Sequence, residues 1–328
     1  MRLTPSAPKL RSTGGGPLSG TEVELAMKLA SVVAAGAVMA VALPALAQSA
    51  PPTSNEAAAQ AAPATVVEDV TVTATTRRTI SEFVRDVSEE SRGGRLARWN
   101  RTICPANIGL QRRYAEYMNE RMAAVARDAG LKVARPGCKP DILIIVTPDV
   151  AAVLAELEGD SNGILTERRW SDERTSHGGS QSLEAFMQSE KPVRWWHVSE
   201  TVSAEGAPVG DNVRMRSSGS RVRSTVREDF MAVIVIVDAN KAKGVTYQAL
   251  ADYVAMVSLA QLNPNVNASQ VPTVLNIFDD VAAGRPPAAG LTEWDKRYLK
   301  TLYGMRADTA DGRRQRGRIV RGVETRDN

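Results

Sequence analysis

Groups able to coordinate a metal or carry a proton near neutral pH are scarce in this chain. Among 328 residues, only His177 and His197 offer an imidazole and only Cys104 and Cys138 a thiol. The N-terminus reads as an export signal, and in an oxidising compartment two cysteines are more often a disulfide than a metal pair. Each lies beside a proline, in "TICPANIG" and "ARPGCKP". A bridge closing about 35 residues removes loop entropy worth roughly 3–4 kcal/mol. His177 sits in "SHGGS" between Ser176 and Ser180. A serine nucleophile needs a strand–turn–helix elbow and a positioned base, and this segment has neither the elbow spacing nor a preceding strand. His197 sits in "RWWHV", where period-two alternation puts Trp195 and His197 on one face of a strand and Trp196 on the other. Two readings stay open there. One is a sheet position with a satisfied histidine; the other is a rigid aromatic platform for a ring-bearing or sugar-like ligand.

The strongest local charge is an arginine ribbon. In "NVRMRSSGSRVRSTVRE" (Asn212–Glu228), "SSGS" reads as a hairpin turn. Arg214 and Arg216 share one face of the first arm, and Arg221 and Arg223 share one face of the second. Guanidinium forks suit carboxylates and phosphates, so this ribbon is either an anion-binding surface or a solvated edge guarded by charge. An enzyme reading would be a hydrolase assembled around Trp195, His197 and these arginines.

Export follows from the N-terminus. Residues 1–26 are Gly/Pro/Ser-rich and read as an over-extended start. Residues 27–47 hold Met27-Lys28, an apolar run Leu29–Leu43 and "PALA": a short basic region, a run short for a bilayer and small residues before Gln48 make a cleaved secretory signal. The expected location is the periplasm or outside the cell, with no integral span after cleavage. Removing residues 1–47 takes away four cations and two anions, which brings the formal charge from +4 to +2. Much of that excess lies in "RRQRGRIVR", with five arginines and no acid; residues 313–328 read as a basic disordered tail. A near-neutral body gives no support for nucleic acid as a partner. Anionic envelope components or an envelope protein are the expected partners.

Residues 48–78 read as a tether too poor in large apolar residues to bury a core. Its end, "VVEDVTVTATTRR" (Val66–Arg78), resembles the leader of TonB-dependent outer-membrane receptors; the alternative is a short strand that is merely similar. Residues 79–312 read as one α+β domain. "TISEFVRDVSEES" places Ile80, Phe83, Val84 and Val87 on one helical face, and "LQRRYAEYMNERMAAVARDAG" does so with Leu110, Tyr114, Met118, Met122 and Val125. "DILIIVT" and "FMAVIVIVD" are continuous apolar runs, as strands buried on both faces require. "PDVAAVLAELEGD" reads as a helix, and the following polar stretch to Gln181 as loop. The expected architecture is a single twisted mixed sheet with packed helices and a β-hairpin excursion. A final helix, "LTEWDKRYLKTLYG", is capped by Thr292 and buries Tyr298, Leu299 and Leu302.

The order of the later parts, with "VPTVLNIFDD" and "LTEWDKRYLKTLYG" after a buried strand and a helix, resembles a group of uncharacterised exported proteobacterial proteins with a zincin-like layout. In that group the helix carries a zinc-peptidase motif or its relic. Aligning Val257–Leu259 with the group's Leu-Gly-Leu puts Ala251 and Ala255 on the metal-binding positions and Asp252 on the general-base position. The resemblance implies a degenerate metallopeptidase-like fold. Two imidazoles one helical turn apart can chelate one ion; alanine has no lone pair to offer. Asp252 then has no metal-bound water to activate and is expected as an exposed or helix-polar residue. Ala251, Ala255 and Leu262 are expected as a small-residue stripe packed on the sheet. No cofactor or metal is expected, and the implied job is non-catalytic binding or scaffolding.

Overall fold

The computed structural model describes residues 77–91, 93–159, 175–177, 181, 183–209 and 223–324, with backbone only at 159 and 175–177. The signal, the tether and most of the TonB-like stretch lie outside these residues. Arg77 and Arg78, read as the end of that stretch, open a helix instead.

Burial of both faces along most of the two long strands sets the frame. β1 (Pro105–Ile108), β2 (Ile142–Thr147), β3 (Thr175–His177), β4 (Val193–Ser203) and β5 (Val226–Asp238) form one mixed sheet in the order β1-β2-β5-β4-β3. β1, β2 and β5 run parallel, and β4 is antiparallel to both β5 and β3. β5 has neighbours on both edges and packing on both faces, which its unbroken apolar stretch requires. One face carries Trp195, Ile142, Ile144, Phe230, Val233, Val235 and Val237 into the larger core. The other carries Trp196, Val198, Ile145, Ile234 and Ile236 into a smaller one.

A β-bulge reconciles the two faces. Val198 pairs with Ala232 but Ser199 pairs with Phe230, leaving Met231 extra. Met231 and Ala232 both pack on the smaller core, so Phe230 and Val233 both face the larger one. The segment read as two strands, to Glu228 and from Phe230, is one strand with this irregularity. Val226–Glu228 belong to β5, where a second arm of an arginine hairpin was expected.

Eight α-helices cover the faces among the described residues: α1 (Arg77–Val87), α2 (Arg112–Asp128), α3 (Val150–Gly159), α4 (Leu183–Met187), α5 (Tyr247–Leu259), α6 (Ile277–Ala282), α7 (Glu293–Gly304) and α8 (Gly312–Glu324). The smaller core is closed by Leu154 of α3 and Phe186 of α4; the larger holds α1, α2, α5, α7 and α8. α1 buries the four residues its spacing selects. α2 buries Met118, Met122 and Val125 as expected but leaves Tyr114 exposed. Thr292 and Asp295 form a capping box at α7, with Thr292 accepting from the Asp295 amide and the Asp295 side chain accepting from the Thr292 amide.

Three further readings change. The short strand β1 was hidden by its four-residue length and by Pro105. The polar stretch before Gln181 contains β3, whose backbone pairs with β4. The basic tail is an ordered helix over Gly312–Glu324: Gln315, Ile319, Val320 and Val323 are buried at the spacing of a single helix face. A Cβ added at Gly322 would lie 2.0 Å from Thr301 Oγ1, so this glycine allows α8 to cross α7 closely. The cysteines are joined, Cys104 to Cys138, with Cα atoms 6.1 Å apart. This bridge ties the start of β1 to the loop before β2, where the Cys104 amide also donates to Asp141 Oδ1 at 2.7 Å.

Candidate functional site

α5 is the helix on which metal-binding positions were expected, and it is the most enclosed element of the fold. Thr246 caps it, accepting from the Ala249 amide at 3.1 Å, and every residue from Ala249 to Leu259 is buried. A helix apolar nearly all round can only be a core helix. Ala251 and Ala255 have no exposed surface, nor does Leu262 beyond the helix. The expected small-residue packing is present.

Asp252 is the exception in that apolar run, and the expectation of an exposed carboxylate is wrong. It is completely buried. Arg121 of α2 donates to both of its oxygens, Nε to Oδ1 at 2.5 Å and Nη2 to Oδ2 at 2.7 Å. The Leu291 amide donates to Oδ2 at 2.7 Å as well. The loop passes so close that a Cβ on Gly290 would come within 2.4 Å of Oδ2. A buried charge of this kind persists only with its partner in place, and this one comes from a helix more than a hundred residues away in sequence. The Asp252 hydrogen bonds raise the Arg121 pKa above the usual guanidinium value, against the opposing effect of burial. Arg121 itself opens onto a cleft of about 380 Å³ lined also by Ala124, Asp128, Leu291, Lys296 and Lys300.

The far end of α5 explains Trp195 and His197. A helix leaves its last four carbonyls without intrahelical partners, and here no water reaches them. Met256 O accepts from the Ala260 amide at 3.2 Å. His197 Nε2 meets Val257 O at 2.8 Å, and because a carbonyl only accepts, Nε2 carries the proton. Trp99 Nε1 donates to Ser258 O at 2.9 Å and Tyr303 Oη to Leu259 O at 2.5 Å. Trp195 Nε1 donates to Leu262 O at 3.1 Å, just beyond the helix. Three side-chain donors from three distant segments thus complete the backbone of one buried helix end, and a fourth binds the chain just after it. Trp195 and His197 do share a strand face, as alternation requires, but that face is core. His197 is 2 % exposed, and burial lowers its pKa from 6.5 to about 4, with the Val257 carbonyl opposing the shift. Both side chains thus act as donors to buried carbonyls, which leaves neither of these N–H groups free for a ligand.

Of the arginine ribbon, Arg214, Arg216 and Arg221 lie outside the described residues. Arg223 does not: its backbone pairs with Thr309, and the Ser224 amide donates to Asp308 O at 2.8 Å. Arg227, further along, is bidentate to Asp229 at 2.9 Å through both nitrogens. The backbone of His177 lies on β3 opposite Val198, and Ser176 is its neighbour there. Among the described residues, no group of three or more His, Cys, Asp or Glu side chains is placed to hold a metal ion. None of the described helices is long and apolar enough to cross a membrane.

The pairing of Asp252 was beyond sequence reasoning because Arg121 carries no mark that separates it from the other arginines of α2. The donors at the end of α5 had a signal, since indole and imidazole N–H groups in apolar stretches need acceptors, but nothing in the sequence said which. Comparison with protein-family models, curated proteins and solved structures returns no match.

Proposed function

We propose that this chain is an exported envelope protein that works by binding or scaffolding, on a metallopeptidase-like layout whose catalytic helix has been turned over to core packing. One observation carries the reading: at the general-base position of that layout, both oxygens of Asp252 are taken up by Arg121 and the Leu291 amide. A general base must lie within reach of the proton it takes, and Asp252 has no exposed surface. On either side, Ala251 and Ala255 are sealed in the core and bring no donor atom. The Cys104–Cys138 bridge supports an oxidising compartment.

The test is direct. The chain, expressed with its own leader, is recovered from the periplasmic fraction, analysed for metals and assayed against a general peptide substrate with and without chelator. The proposal expects no stoichiometric transition metal and no chelator-sensitive turnover. Either one overturns the non-catalytic reading, and retention in the cytoplasm overturns the exported one.

A further inference from the structure

The five arginines read as a floppy tail are instead held on a rigid scaffold, and that changes what they can do. Asp311 precedes α8, and its side chain accepts from the Arg314 amide at 2.8 Å. Its apolar face is buried by Ile319, Val320 and Val323. The opposite side borders a cleft of about 860 Å³ lined by Arg313, Arg314, Arg316, Arg318 and Arg321, with Glu90, Asp311 and three glycines completing the wall. Five guanidiniums thus face two carboxylates.

The pairing is incomplete. Arg316 is bonded to Glu90 and Arg314 lies 3.6 Å from Asp311, which uses both carboxylates. Among the described residues, neither Arg313 nor Arg318 meets a hydrogen-bonding or ion-pair partner. Arg314, Arg318 and Arg321 stand at i, i+4 and i+7, on one side of the helix, where like charges repel by a few tenths of a kcal/mol per pair. A charged face needed only for solubility would mix signs, as the Arg112–Glu116 and Lys296–Glu293 pairs do on α2 and α7. The glycines at 94, 312 and 317 keep side chains out of the cleft, and a Cβ on Gly312 would collide with Glu90 Oε1 at 2.2 Å. Among the described residues the exposed large apolar side chains, Ile108, Tyr114 and Tyr117, belong to β1 and α2, so none of them lies on this face to insert into a bilayer. Its chemistry is purely that of planar, permanently charged donors, which match phosphate oxygens two at a time.

We propose that the arginine-lined cleft along α8 binds a ligand bearing several phosphate groups. This does not depend on the reading of α5. Two sources carry that chemistry, a lipid headgroup at a membrane surface and a free polyphosphate compound. The full chain is titrated at low salt with inorganic tripolyphosphate by calorimetry, and separately with phosphatidylglycerol vesicles against phosphatidylcholine vesicles by sedimentation. The double variant Arg313→Ser/Arg318→Ser removes the two unpaired cations without breaking a described contact. Lys139→Ser/Lys243→Ser, at exposed positions elsewhere, makes the same change in net charge. Each arginine near an anionic surface is worth about fivefold in binding, so the arginine variant should bind about 25-fold more weakly and the lysine control nearly as wild type. A response to tripolyphosphate alone assigns the cleft to free phosphate compounds; a response to phosphatidylglycerol alone assigns it to a headgroup. Binding of neither probe, or equal weakening in both variants, overturns the proposal.

Discussion

Two helices of the same length, α5 and α8, carry opposite chemistry and are both anchored in the larger core. α5 has one charged residue in 13, and that residue has no exposed surface; α8 has five arginines and a glutamate in 13. In α5 burial leaves polar groups dependent on protein partners, and Ser258 Oγ is a buried atom without one. Asp252 is met by Arg121, and the terminal carbonyls by His197, Trp99 and Tyr303. In α8 the charges stay at the surface, and three aliphatic side chains are enough to hold the helix down. Composition therefore says how a helix divides its polar groups between protein and solvent. It does not say whether the helix is ordered.

Breaking this contrast is easiest at the buried pair. Arg121→Met leaves the Asp252 carboxylate enclosed and short of its cation, and is expected to cost about 3–5 kcal/mol in urea unfolding. Arg121→Met/Asp252→Leu should recover much of that loss, since a matched apolar pair leaves no stranded charge. A loss below about 1 kcal/mol for the single variant would mean that water serves Asp252 after all.

The other end of α5 sharpens the comparison through pH. His197 has a folded pKa near 4, lowered from 6.5 by burial. Its unfolded form takes up the proton first, so its contribution is complete above pH 6.5 and is lost as pH falls toward 4. The full span is about 3 kcal/mol. Burial raises the pKa of Asp141, Glu228 and Asp295, and these carboxyls give the opposite slope where they titrate. The quantity to measure is thus the difference between wild type and His197→Gln. Wild-type stability should fall more steeply between pH 6.5 and 4; parallel curves would remove His197 as the titrating group.

The smallest effects belong to α8, where they separate its two faces. Ile319→Ala empties a fully buried site and is expected to cost about 2–3 kcal/mol. Arg313→Ser, on the open face, should change stability by less than about 0.5 kcal/mol. Protease resistance of the C-terminus should follow the first variant and ignore the second. Equal sensitivity would undo the division between packing face and ligand face.

Much of the fold was legible in the chain. The apolar runs at Ile142–Thr147 and Phe230–Asp238 became the two central parallel strands. The 3–4 spacing in α1 selected its buried face, and Thr292 capped α7. The disulfide followed from having two cysteines in a chain that reads as exported. β1 and β3 were missed because three or four residues carry too little periodicity, and α8 because arginines outnumber the aliphatic residues that bury it. At the candidate sites less could be read. Trp195 and His197 were rightly put on one face, but alternation is the same whether a face meets ligand or core.

By itself, the sequence determined which segments could be helix or strand, which faces had to be hidden, and that Ala251 and Ala255 bring no metal donor. These are properties of neighbours along the chain, set by side-chain period and by which atoms carry lone pairs. Only the tertiary structure decided that Asp252 is neutralised by Arg121, that His197 ends a helix, and that five arginines share a cleft. Each of these joins groups far apart in sequence, and a buried polar atom accepts any donor the fold delivers, so local pattern leaves the choice of partner open.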